Sequence, residues 1–352
     1  MPSRGITPHA LRWAAKHAIW KLAHRHVPSG RPDILIFTTG RSGGTWLTET
    51  LSAEPGLAFV GQPFSLGLAD PFLRRRGVFP QEVIENGGIP IRPRDEEFLR
   101  DFFEKIFRGE LRVSQPWNPF DTSFHARTDR IVAKVHSVKA WIEWFGEQFP
   151  NTRVVYHVRH PISLVLSGIR AGWNYGGRRY LADPWFLEHY LGDGRHRFAI
   201  DRIERGSPLE RGLVAWSVQN FVPLSVRARH PEWLITSYEE LVVSPAEILS
   251  QMVERLELSD RTSIEKRVAQ PSATVFDERT AAILRSQSEQ SEKNRFLLGR
   301  WRNEISPDDL ASCLRILESF EIDAYSDSIA PHSSLLGYEG SAERLRRLEP
   351  DE

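Results

Sequence analysis

ILIFTTGRSGGTW, residues Ile34 to Trp46, is the stretch whose reading decides the fold. Four apolar residues, Ile34 to Phe37, make a short strand, a glycine-rich turn stops it, and a helix begins. In that geometry the free N–H groups of the first helical turn converge on one spot. Gly40, Gly43 and Gly44 let main chain approach an oxyanion with no Cβ in the way, and Arg41 adds a formal positive charge. The stretch reads as an anion cradle or as a tight structural turn, and the rest of the chain has to choose.

It is not the loop of nucleoside-triphosphate enzymes. GxxxxGK followed by Ser or Thr needs a longer cradle and a lysine just before the hydroxyl, and neither occurs around Gly40. Composition bounds the rest. The 352 residues, 40% hydrophobic and 11% aromatic, are ample for a buried core. Lys plus Arg equals Asp plus Glu at 46 each, so nothing global points to nucleic acid, and an anion site has to come from local placement of charge. Cys313 is the single cysteine, which excludes an internal disulfide and a cysteine-based zinc site and fits a reducing compartment. No apolar run of about 18 residues is present, and the N-terminus lacks the apolar core of a signal peptide. The expectation is a soluble, cytoplasmic protein.

The first 31 residues hold six Lys/Arg, four His and no Asp or Glu. Leu11, Ala14, Ala15, Ala18, Ile19 and Leu22 fall near helical spacing, so residues 1–31 read as a basic amphipathic extension. Such a helix suits an anionic membrane surface, but the expectation is that its apolar side packs on the domain.

Beyond it, short β-branched runs at Ile131 to Val135, Val154 to Val158 and Trp233 to Ile235 alternate with longer helical patterns. This argues for an α/β fold in three layers, a central, mostly parallel sheet flanked by helices. The clearest unit is a strand from Arg130 to His136, a helix from near Ser137 to near Phe149, a strand from Arg153 to Arg159, and a helix opened by Pro161. Ligands of such sheets bind beyond the carboxyl ends of strands. Thr39, His136 and Arg159 all sit at such ends and are expected to converge. The main domain is read as residues 32–326. Within it, about 171–212 is an aromatic-rich insertion carrying Trp173, Tyr175, Tyr180, Trp185, Phe186, Tyr190 and Phe198, a lid that either clamps an acceptor or packs on the core. Residues 327–352 read as a charged tail, solvated or disordered from Ser341 onward.

With these elements in order, the chain from about Pro32 to Tyr325 resembles sulfotransferases that use 3′-phosphoadenosine 5′-phosphosulfate (PAPS), whose fold is P-loop-like. TTGRSGGTW is similar to the family's 5′-phosphosulfate loop, and the resemblance puts Arg41 at the basic position, Ser42, Gly43, Gly44 and Thr45 in the cradle, and Trp46 against adenine. VVYHVRHPISLVLSG resembles the 3′-phosphate element, an Arg closing a strand and a Ser eight residues on: Arg159 and Ser167, since 167 minus 159 is 8. Ser163 lies in the same helix, but the spacing picks Ser167. NRFLLGRWR, Asn294 to Arg302, is similar to the late basic loop over the 3′-phosphate. Arg295, Gly299 and Trp301 fit it, and Phe296 replaces its first glycine.

The resemblance implies transfer of a sulfuryl group from PAPS, without metal, to a hydroxyl, less readily an amine, of a small molecule or saccharide. Arg41 and the loop N–H groups would offset charge on the leaving phosphate. Lys134 and His136 alternate on one strand, so their side chains share a face. They match the Lys-x-His pair of small-molecule sulfotransferases. His136 is then the general base, with an ordinary pKa near 6.5, and Lys134 stabilises the sulfuryl oxygens. Many carbohydrate and bacterial members instead place a glutamate base shortly after the loop, where this chain reads GQPF with Gln62. Glu49 remains as an acid on the following helix, expected to face solvent, and His157 and His160 are expected to be structural. Two other readings stay open from sequence: a P-loop nucleotide kinase or NTPase, and a nucleotide-binding relative without turnover. The acceptor's identity and the oligomeric state are not encoded in any separable pattern.

Overall fold

The computed structural model describes residues 11, 15, 18, 19, 22–61, 63, 96–110, 125–136, 138–173, 177–268 and 289–349. At its centre lie five parallel strands: β1 (Asp33–Thr38), β2 (Leu57–Gly61), β3 (Arg130–Val135), β4 (Thr152–Val158) and β5 (Leu234–Ser237), in the spatial order β2-β3-β1-β4-β5. The sheet is buried on both faces, which is why its strands read as continuous apolar runs. Side-chain alternation divides each run between two cores. Leu35, Phe37, Ala133, Val135, Val154, Tyr156 and Val158 face the larger core, under the helices Glu96–Phe107, α2 (Ile142–Gln148), α3 (Pro161–Arg170), α4 (Pro208–Val226) and Pro307–Ser319. Ile34, Ile36, Val132 and Val155 face the smaller one, under α1 (Gly44–Leu51) and the helices Pro245–Arg255 and Arg261–Val268. This is the three-layer α/β arrangement expected from the sequence. The edge strand β2 was not among the runs singled out.

β1 sits between β3 and β4, so the loops after these three strands emerge side by side at one end of the sheet, at the point where connections leave in both directions. At the opposite end Arg130 is fully buried and donates to the carbonyls of Pro32 (2.6 Å), Leu256 (2.8 Å) and Glu257 (3.0 Å). It ties the start of β1 to the C-terminus of the helix Pro245–Arg255, a helix end that would otherwise bury open carbonyls.

Two expectations change and one open alternative is decided. In the N-terminal extension Leu11, Ala15, Ala18, Ile19, Leu22 and Ala23 are helical, but all are exposed, so the packing of an apolar side onto the domain is not what these residues do. The extension is held instead by a two-residue parallel ladder, Arg25–His26 on Arg127–Thr128. The segment 171–212 follows the second of its two readings and packs on the core rather than standing apart as a lid. Tyr180, Leu181, Phe186, Leu191, Ala199 and Ile203 belong to the larger core, with Trp185 against Trp141 and Phe186 against Phe221. Its expected end at 212 falls inside α4, which starts at Pro208, with Ser207 as N-cap in a capping box with Glu210. Trp173 alone of its described aromatics is exposed, and Tyr175 lies outside the described residues. Finally, the charged tail forms a helix, Glu339–Arg346, whose Leu345 packs with Leu348, Leu298 and Ile329. Arg344 pairs with Glu247 and Arg302 with Glu349, two ion pairs that join the tail to the domain.

Candidate active site

The loop after β1 is a tight, self-bonded turn. Thr38 Oγ1 and Ser42 Oγ lie 2.5 Å apart, and the Ser42 hydroxyl donates to Thr39 O at 2.6 Å. Two successive left-handed bends make it compact: Arg41 at φ 71° and Gly43 at φ 90°. Gly43 caps α1 and brings no side-chain cap with it, so the positive end of the helix faces the loop. A Cβ on Gly43 would also come within 2.8 Å of the Tyr238 ring. Gly40 is a second close approach, since Trp173 lies where its Cβ would be, at 2.5 Å. Trp46 is half-buried and packs against the smaller core.

Arg159, just past β4, is 8% exposed. Its Nη1 donates to Arg41 O (2.9 Å), its Nη2 to Ser163 Oγ (2.9 Å), and its guanidinium stacks on Tyr238 at 4.2 Å from the ring centre. Its buried Nε has no acceptor. Buried donors are nearly always satisfied, and this one lies beside the loop that Arg159 holds through Arg41 O. Ser167 does not pair with Arg159; its hydroxyl accepts from Nε and Nη2 of Arg41 at 3.3 and 3.2 Å. The two ends expected from sequence therefore touch: one arginine holds the loop carbonyl of the other, and the second rests on the helix that follows the first.

Two histidines near the arginine are structural, in keeping with the expectation. His157, buried and pushed down to about 4 by burial, is neutral; Nε2–H donates to Ser42 O (2.9 Å) and Nδ1 accepts from Thr236 (3.0 Å), clamping the loop from below. His160 stacks on Trp301 with ring centres 4.5 Å apart, and burial lowers it to about 3. Glu239, held up at about 7 by burial, accepts its main-chain N–H at 2.9 Å.

Beside the loop on the β3 side, Lys134 Nζ donates to Thr45 Oγ1 at 3.1 Å, and burial brings it down to about 8 against the pull of Glu49. His136 is lowered well below the ordinary histidine value by burial, then by Lys134 and Lys139. Those couplings place Lys134 and His136 in one neighbourhood, as their alternation on β3 requires. A neutral imidazole there can accept a proton at any pH near neutrality. Glu49 does not face solvent: it is half-buried and paired with Arg267, which removes it as a ready base. Gln62 lies outside the described residues.

The late basic element differs in shape from expectation. Residues 294–302 are helical, first α-helix (Gln290–Gly299) and then a 3-10 turn (Arg300–Asn303). With Phe296 in place of glycine the backbone has no reason to leave the helix. Arg295 is exposed on it and Gly299 is half-buried against Ile329. Arg300 is the residue that approaches Arg159 and Tyr238: burial lowers it first, then the charges of Arg170 and Arg159. Sequence reading missed Arg300 and Tyr238. The signal for Tyr238 was its place at the end of β5, one more carboxyl end on the same side of the sheet. Among the described residues no group of three or more His, Cys, Asp or Glu could hold a metal, and no helix is long and apolar enough to cross a membrane.

No protein-family model and no curated protein matches the chain. Solved structures do. The sulfotransferase domain of the Synechococcus PCC 7002 olefin synthase is 16% identical, over 84% of this chain and 96% of that one, with a TM-score of 0.42. A mouse sulfotransferase, SULT7A1, complexed with PAP is 13% identical over 82% and 85%, at 0.41. A sulfotransferase from Alicyclobacillus acidocaldarius is 15% identical over 77% and 99%, at 0.35. At such overlap the chemistry has to be read from the residues. What the chain is similar to, in each of these solved structures, is a sulfotransferase.

Proposed function

We propose that the protein transfers a sulfuryl group from PAPS to a hydroxyl of a small molecule or saccharide. The observation that carries this reading is the orphaned, buried Arg159 Nε next to an uncapped helix N-terminus, with Arg41 between them. Two anion-binding centres in contact suit a nucleotide phosphorylated at both 3′ and 5′ positions. An ordinary diphosphate would leave the Arg159 end unused. Arg guanidinium groups favour such fixed, multi-donor phosphate contacts.

The same residues would do the chemistry. His136 accepts the acceptor's hydroxyl proton as the new S–O bond forms. The S–O bond to the 5′-phosphate breaks, and its electron pair stays on the phosphate oxygen. Arg41 and the N–H groups at the start of α1 stabilise that oxygen, and Lys134 offsets charge on the sulfuryl oxygens. General-base help of this kind contributes about 10²- to 10⁴-fold.

The test is a thermal-shift comparison of 3′,5′-diphosphoadenosine with ADP and with ATP plus Mg²⁺. Selective stabilisation by the first is expected. Selective stabilisation by ATP would overturn the assignment in favour of a kinase or NTPase. Conversion of His136 to Ala is expected to keep diphosphoadenosine binding while transfer collapses, and unaffected transfer would remove His136 as the base.

A further inference from the structure

Behind the loop lies a lysine that neither phosphate binding nor proton transfer uses. Lys139 is 2% exposed, and its Nζ meets His136 O at 3.0 Å, Thr39 Oγ1 at 3.1 Å, Thr38 O at 3.3 Å and Gln219 Oε1 at 3.4 Å. None of these acceptors is a carboxylate. Burying an amine without a counter-charge is costly, and burial brings this one down to about 7. Pure packing would be served better by Met or Leu, so the position needs another explanation.

The acceptors supply it. β1 and β3 pair up to Phe37 on Val135 and then separate. Just past that point Lys139 takes one carbonyl from each strand end, Thr38 on one side and His136 on the other. Its contact with Thr39 continues into α4, where Asn220 Nδ2 also reaches Thr39 Oγ1 (3.3 Å) while Asn220 Oδ1 accepts from Tyr156 (3.0 Å). The backbone is bent to deliver it. Val138, the residue before it, is β-branched and buried yet left-handed at φ 57°. That conformation is strained for a residue with a branched side chain and persists where the surroundings over-determine it.

We propose that Lys139 is a positioning residue that locks the first residues of the anion loop to the backbone of His136, fixing the base relative to the donor. This rests on His136 being the base. The groups facing His136 electrostatically are Lys134 on β3 and Lys139 itself; Glu49 of α1 acts on Lys134, and Gln219 of α4 is uncharged.

The experiment is Lys139→Met in the full chain, with PAPS and a hydroxylated acceptor found by screening. Three quantities are read: diphosphoadenosine affinity, the single-turnover transfer rate at saturating donor, and the pH dependence of that rate. The expected result is affinity within about fivefold of the parent, a transfer rate at least 30-fold lower, and an acid limb displaced to higher pH because one of two cations beside His136 is gone. Unchanged rate and limb in folded protein would overturn the proposal. So would a loss of affinity well beyond fivefold with the saturated rate and the limb both unmoved, since Lys139 would then only brace the loop. Should the Met variant fail to fold, Thr39→Val keeps the volume and deletes one of the four acceptors, and a smaller fall in rate at constant affinity is expected; no fall would overturn the proposal. His136→Ala separates the two ideas: transfer intact in that variant sinks the base, whereas transfer abolished there but intact in Lys139→Met sinks only the lock.

Discussion

Gly43→Ala is the most searching single change, because the added carbon meets two costs that can be told apart. At φ 90° any residue with a Cβ is strained, by about 1–2 kcal/mol. The carbon would also lie 2.8 Å from Cδ2 and 3.3 Å from Cε2 of Tyr238. That ring cannot yield freely, since Arg159 is stacked on it at 4.2 Å. Overpacking of this kind costs about 1–3 kcal/mol, so the sum is about 2–5 kcal/mol. Where it appears depends on the loop. If the loop relaxes in the free protein, the cost is met on binding, and diphosphoadenosine affinity falls by roughly 30-fold to several thousand-fold at 1.4 kcal/mol per decade. If it cannot relax, the same energy appears as lost stability. Calorimetric binding and denaturant unfolding of one variant measure both, and their sum is the quantity predicted. Tyr238→Ala in the Gly43→Ala background should restore the steric part only, a coupling of about 1–3 kcal/mol by a double-mutant cycle. Gly43→Ala with affinity and stability both unchanged would refute the loop geometry, and a cycle with no coupling would refute the role of Tyr238 as its floor.

Other expectations follow from the same contacts. Arg159→Met should weaken 3′,5′-diphosphoadenosine by about 10- to 150-fold, the worth of one charged hydrogen-bonding group, and AMP by less, through loss of the bond to Arg41 O alone; competition binding with both ligands checks it. Arg130→Met should cost at least about 2 kcal/mol in urea unfolding, because the buried bonds to Pro32 O and Leu256 O lose their donor at once. The pH dependence of transfer has a definite sign. His136 works as a base when neutral and is held well below 6.5 by burial and two lysines, so the acid limb of kcat/KM should lie well below pH 6.5. A limb at or above 6.5 would mean that another group is titrating.

Much of this architecture was readable because parallel strands buried on both faces leave uninterrupted apolar runs. Ile34 to Phe37, Ile131 to Val135 and Val154 to Val158 needed no other cue, and Thr39, His136 and Arg159 could be placed at strand ends from those runs alone. The strand Leu57–Gly61 left no such mark: it is five residues at a sheet edge, ending in glycine. The late basic segment misled because a glycine pattern was matched where Phe296 lets a helix continue. Arg41 and Ser167 were assigned to different ends because sequence spacing carries no information about the reach of an arginine across 126 positions. Lys139 was invisible for a related reason: a lysine after an apolar strand reads as surface until three separate elements are seen to turn their acceptors toward it. The tail's charges hid the spacing of Leu345 and Leu348, which bury it.

The order of the sheet has a further consequence for folding. Thr38, His136 and Arg159 come from neighbouring strands, yet the chain between the first and last of them spans more than a hundred residues. Local opening of one loop cannot spare the site, and no early, locally formed unit can contain it. A ligand that contacts all three ends therefore recognises only the completed sheet, and its free energy is added to global unfolding rather than to a single segment. At a hundredfold excess over Kd that is about 2.7 kcal/mol. Hydrogen exchange should register it as slowed exchange in the innermost amides of β1, β3 and β4, including those far from any bound phosphate.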